Sequence, residues 1–243
     1  MERTHERAPE AWEPDVWVRD DEAPAAPRVR PRPRRRDLPD DVVTELARAG
    51  TGRSNVLARD LAAGASAFES GRFQEAYRYL RPLAERAPTV APVRELYGLT
   101  LYRLGRWRVA AAELEAFREL TGSLEHEPVV ADCERALGHH TAVERRWQEL
   151  RQASPSAEIL GEARIVMAGD LADRGELDAA IGVLARYEAD RARPRPWMVR
   201  TWYALADLYE RAGDVPRARA LFQRLVRMDA EWFDAAERLA ALQ

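Results

Sequence analysis

Three histidines, His126, His139 and His140, and a lone cysteine, Cys133, are the residues of this chain best suited to metal or nucleophilic chemistry. His139 and His140 adjoin, and neighbours on a helix point about 100° apart, so they cannot chelate one metal well. His126 stands near enough in sequence to join one of them, but the spacing matches no usual zinc pattern. The trio reads as solvated turn histidines. Cys133 falls on an expected helix beside charged residues and reads as a buried or half-buried bystander. The stretch AGTGRSN, residues 49–55, resembles a phosphate nest ahead of a helix. It reads instead as a loop and N-cap, with Ser54 or Asn55 starting the next helix. Acid pairs such as Asp173 and Glu176 read as solvated helix faces. No catalytic residue, cofactor or metal site is expected, and no enzyme.

Composition removes further chemistry. The chain has 243 residues and a formal net charge of −3, with no overall basic excess that would call for nucleic acid. All 38 basic residues are arginine, and Asn55 is the only asparagine. Without lysine there is neither a Walker A phosphate loop nor a Schiff-base amine. The abundance of alanine, arginine and proline fits a GC-rich bacterial genome. A single cysteine forms no internal disulfide, and no apolar run reaches signal-peptide or membrane-span length. A cytoplasmic protein with no membrane partner is expected.

The elements that would position any site divide into two regions. Residues 1–39 are rich in proline and charge and are expected to be disordered. An acidic block, MERTHERAPEAWEPDVWVRDDE, is followed by a basic one, PRVRPRPRRR. The prolines and like charges of the second block favour polyproline-II conformation. Residues 40–243 change to alanine, leucine, arginine and glutamate at helical spacing, beginning with a short capped helix, DDVVTELARAG. An all-α domain is expected there.

Within it a pattern recurs. Gly71, Gly105, Gly138, Gly175 and Gly213 are separated by 34, 33, 37 and 38 residues. Five residues after each stand Ala76, Ala110, Val143, Ala180 and Ala218. Nine after stand Leu80, Leu114, Trp147, Leu184 and Phe222. Seven before stand Gly64, Gly98, Ala131, Ala168 and Ala206. Pro88 and Pro155 close two of the copies.

These columns resemble the tetratricopeptide repeat, W-x2-L-G-x2-Y followed by A-x3-F and P. The last copy carries Trp202, Leu205, Ala206, Tyr209, Ala218 and Phe222. The copies before it keep the small positions and the turn, and the third departs most, with Val143 for alanine and Glu134 for tyrosine. The resemblance implies a right-handed superhelix of about five helix hairpins over residues 55–230. A short N-terminal helix would precede it and a C-terminal capping helix, EWFDAAERLAALQ, would follow. In this frame the turn glycine ends each first helix, the small residue admits the second helix closely, and the alanine fills the facing gap. The large residue nine places on buries against the neighbouring copy.

The family's first helices line a groove for a polypeptide. Carried over by frame, that groove includes Phe68, Leu99, Tyr102, Arg103, Asp132, Arg135, Tyr203, Asp207 and Arg211, with Glu69 beside Phe68. The family's carboxylate clamp relies on lysines and asparagines and is disfavoured here. The expected function is a non-enzymatic scaffold binding a protein or peptide. The alternative is an RNA- or ribosome-associated adaptor using Arg28, Arg30, Arg32, Arg34, Arg35 and Arg36 against a polyanion. Trp12 and Trp17, in the acidic block, could anchor a partner.

Overall fold

A computed structural model describes residues 38–49, 54–187, 194–229 and 232–242. The tail with its tryptophans and its arginine block, and the centre of the nest-like stretch, lie outside the described residues.

Every regular element among them is a helix. In chain order these are α1 (Asp40–Ala49), α2 (Ser54–Glu69), α3 (Phe73–Arg86), α4 (Ala91–Arg103), α5 (Trp107–Thr121) and α6 (Glu127–Ala136). Then come α7 (His140–Ala153), α8 (Ala157–Asp173), α9 (Leu177–Ala185), α10 (Pro196–Arg211), α11 (Val215–Met228) and α12 (Ala235–Ala241). The chain divides into two compact units, one ending at Val166 and the other beginning at Met167. In the first, each helix from α1 to α7 packs on the next, and α2 also touches α4. In the second, α9 packs on α10, α10 on α11 and α11 on α12. The all-α architecture of sequential helix pairs is the one the columns imply.

One device closes all five hairpins. At the first, the Gly71 amide donates to the Phe68 carbonyl and the Arg72 amide reaches back to Ala67, each at 2.9 Å. At the last, Gly213 donates to Glu210 at 3.0 Å and Asp214 to Tyr209 at 2.8 Å. This paired arrangement satisfies carbonyls that the ending helix would orphan, and it needs a left-handed residue at the turn. Gly71 has φ 70° and Gly213 has φ 77°, where a side chain would be strained. Gly105, Gly138 and Gly175 repeat the same bonds.

The small and large columns form the core. Ala76, Ala110, Ala180 and Ala218 are fully buried, as are Leu80, Leu184 and Phe222. Each large side chain contributes about 1.5–3 kcal/mol by leaving water. The close crossing differs in one detail from the expectation. A Cβ on Gly64 would lie 2.8 Å from Leu80, and one on Gly98 would lie 2.8 Å from Leu114. The glycine thus receives the leucine of its own hairpin rather than facing the alanine. Residues roughly equidistant from a turn meet across an antiparallel pair, which sets seven before against nine after.

Copy three substitutes charge for apolar packing. Trp147, in its large column, is only half-buried, with Arg151 and Arg164 over its ring. Arg146 is buried instead, with Nη1 donating to Glu127 Oε2 at 3.2 Å and Nη2 donating to Glu115. Arg118 holds the other Glu127 oxygen at 3.0 Å. Glu127 is 3% exposed, so these partners balance a carboxylate taken out of water.

At the start of the first unit, α1 inserts the fully buried Leu46. Its Glu45 also accepts the Ala91 amide at 3.1 Å, capping the N-terminus of α4 from 46 residues away.

Candidate functional site

The residues expected to line a groove lie on first helices, with Phe68, Tyr102, Arg103, Arg135 and Arg211 in the last turn before the glycine and Tyr203 at mid-helix. In the first unit, Phe68, Leu99 and Tyr102 are half-buried at the rim of the core. Two of them stack on the residue just past their own turn. Phe68 meets Phe73 edge-on with ring centroids 5.4 Å apart, and Tyr102 meets Trp107 at 5.3 Å. The Arg103 guanidinium lies 4.2 Å from the Phe73 centroid, so α4 reaches back over the preceding turn. The result is a row of aromatic rings and a cation along the turn edge, with Glu69 exposed beside it.

Asp132 and Arg135, on α6, are both 5% exposed. Tyr102 donates its hydroxyl to Asp132 Oδ2 at 2.6 Å, and Arg135 Nε donates to Oδ1 at 2.8 Å. Burial, and then the Asp132 charge, raise the Tyr102 phenol above the ordinary tyrosine range. This bond ties the first helix of one hairpin to the first helix of the next.

The second unit repeats the arrangement. Tyr203 is 3% exposed, donates to Asp234 Oδ1 at 2.6 Å and accepts from Arg238 Nη1 at 3.2 Å. Its phenol is also raised, by burial first and then by the Asp234 bond. Arg238 Nη2 donates to Asp207 Oδ1 and Glu210 Oε2, both at 2.7 Å. Its guanidinium also lies 4.8 Å from the Phe222 ring centroid. Arg211 Nη2 donates to the Ala172 carbonyl at 3.3 Å. Trp232 and Phe233 are half-buried, and Phe233 packs 5.2 Å from Tyr203.

Sequence reasoning missed Arg238, Glu127 and Arg146. The signal was a spacing slightly shorter than the repeat. His126–Glu95, Arg146–Glu115, Tyr203–Asp234 and Arg238–Asp207 each join residues 31 apart. Complementary polar side chains at that spacing join corresponding helices of neighbouring hairpins, whereas Glu127 carries no such signal.

His139 is an exposed turn histidine, as expected, whereas His126 is largely buried. His126 Nε2 lies 2.8 Å from Glu95 Oε1, and His139 Nδ1 lies 2.6 Å from Glu134 Oε2. No group of three metal-ligating side chains occurs among the described residues. Cys133 is buried, and burial together with the Asp132 charge pushes its thiol up, away from the reactive thiolate. No helix among the described residues is long and apolar enough to cross a membrane.

A family model of the tetratricopeptide repeat matches residues 199–242, from α10 through α12. No curated protein matches the chain. The matched span holds Trp202, Leu205, Ala206, Tyr209, Ala218 and Phe222, all buried. The chain carries a tetratricopeptide repeat in its last helices.

Proposed function

We propose that the protein is a non-enzymatic interaction scaffold, working in the cytoplasm, that holds a polypeptide along the face of its first helices. The observation that supports this most is the repeat at 199–242, whose turn bonds and small and large columns recur in the hairpins upstream. Repeats of this kind are stacked supports for binding surfaces rather than catalytic frameworks.

Roles on that face follow from burial. In the first unit Phe68, Leu99 and the Tyr102 ring offer apolar contact and Arg103 a cationic head partly in water, and in the second unit Arg211 offers another. Half-buried aromatics beside arginines are the composition of interface hot spots. Asp132, Arg135, Asp207 and Tyr203 are bonded to protein groups and fix the shape of the face.

A photo-crosslinking residue at Leu99 or at Arg103 tests this in cells. The proposal expects both positions to capture the same polypeptide, while one at the exposed Leu120, at the far end of α5, captures none. Capture at Leu120 alone would contradict it.

A further inference from the structure

A basic face stands on the second helices of the first unit. Arg78, Arg106 and Arg108 are exposed there, and no carboxylate among the described residues lies within ion-pair distance of them. Arg106 lies 4.2 Å from the Tyr77 ring centroid, which ties the N-terminus of α5 to the middle of α3. Arg81, one turn along α3, is 60% exposed and has Glu85 3.5 Å away. Tyr97 joins from α4, its ring 5.9 Å from Tyr77. Desolvation works against ionisation of Tyr77, yet the Arg106 bond and charge and the Arg81 charge hold its phenol below the usual range. The nearest acid on α5, Glu113, is taken up by Arg94.

The same chain contains the opposite charge. Residues 2–22 carry eight carboxylates against three arginines, with Trp12 and Trp17 among them. The described chain starts at Leu38 and enters α1, which packs on α2 in the same unit as α3 and α5. Residues 23–37, extended at about 3.3 Å each, span on the order of 50 Å, enough to bring the acidic segment onto that face. We propose that the basic face of α3 and α5 is the docking surface for the chain's own acidic segment, residues 2–22. The carboxylates engage Arg78, Arg106 and Arg108, and the tryptophan rings lie against guanidinium planes or the exposed Val109. The intervening residues, 23–37, serve as the tether. This does not rest on the groove reading, because it uses other residues and a different occupant.

The test uses the full chain with Trp12→benzoylphenylalanine, irradiated at low salt and digested for peptide mapping. Crosslinks are expected to peptides from 72–86 and 105–112 of the same molecule. They should be lost in high salt and lost in the variant Arg78→Glu/Arg106→Glu/Arg108→Glu. Those three positions are exposed, so circular dichroism of the variant should match the parent and confirm that the fold persists. Crosslinks to 28–36, to the unit after Met167, or to a second copy would overturn the proposal. So would the absence of any crosslink, or crosslinks that survive the triple substitution in a folded chain.

Discussion

Gly98 and Leu114 meet so closely that a Cβ on the glycine would fall 2.8 Å from both Cγ and Cδ2 of the leucine. Leu114 is 1% exposed, so it has no room to retreat. Gly98→Leu should therefore destabilise by about 1–3 kcal/mol or more, and Gly98→Ala by less, since alanine regains helix propensity. Gly182 is the control. It lies in α9, is exposed, and has nothing within 4 Å of the place a Cβ would take. Gly182→Ala should stabilise by about 0.5–1 kcal/mol. Thermal melts separate the two, at roughly 2–4 °C per kcal/mol for a chain of this size.

Tyr203→Phe removes a hydroxyl that bonds both Asp234 and Arg238 while keeping the ring. Hydrogen bonds to charged groups are worth about 1.5–3 kcal/mol, so urea unfolding should show a loss of that order. Hydrogen exchange should quicken in α12, which the bond helps to hold. A change confined to partner affinity, with stability unaltered, would assign Tyr203 to binding instead.

Alkaline pH should unfold the protein through its tyrosines. A phenol raised in the folded state keeps its full stabilising contribution below the unfolded value near pH ~10 and loses it as pH rises toward the folded one. Burial pushes Tyr97 up to about 12, and Tyr102 and Tyr203 are raised as well. Tyr77 shifts the other way but is more exposed and opposes the trend only weakly. The chain has no lysine, which leaves this range unusually clear of other titrations. Urea midpoints should fall between pH ~9 and ~11, with a shallower fall in Tyr102→Phe.

Arg146→Met should destabilise strongly, because it leaves Glu127 buried with only Arg118 beside it. Breaking one side of such a pair costs about 3–5 kcal/mol. Adding Glu127→Leu should recover part of that loss, since a paired charge replaced on both sides by apolar groups is often neutral. Denaturant unfolding of the single and double variants gives the comparison.

The helical repeat was legible because its strongest signals are one-residue constraints. A left-handed turn demands glycine, as at Gly213, and a close crossing demands a small residue, as at Gly98. Both recur at a fixed period. What lay opposite Gly98 was harder to read, since the alanine and leucine columns both suit a buried position and only the geometry of the hairpin chooses Leu114. The groove frame placed Phe68, Leu99 and Arg103 on first-helix ends but said nothing of side-chain bonding. Tyr203 therefore read as an exposed ring, whereas Asp234 and Arg238 engage its hydroxyl. The Arg146 network was hidden because an arginine on a helix usually marks a solvated face, and burial depends on partners drawn from two other helices.

The central claim is that a polypeptide binds along the first helices, and the most direct measurement is the affinity of the captured partner for three chains. These are the parent, Leu99→Ala/Arg103→Ala, and a chain lacking residues 28–36. Leu99 and Arg103 are half-buried at the rim, so both changes leave the core intact. The account predicts that the double substitution weakens binding by about tenfold or more, equivalent to about 1.4 kcal/mol, at both low and high salt. The deletion should change affinity only modestly, and chiefly at low salt. Binding abolished by the deletion, steeply salt-dependent, and indifferent to Leu99 and Arg103 would contradict it and assign the interaction to the arginine tail.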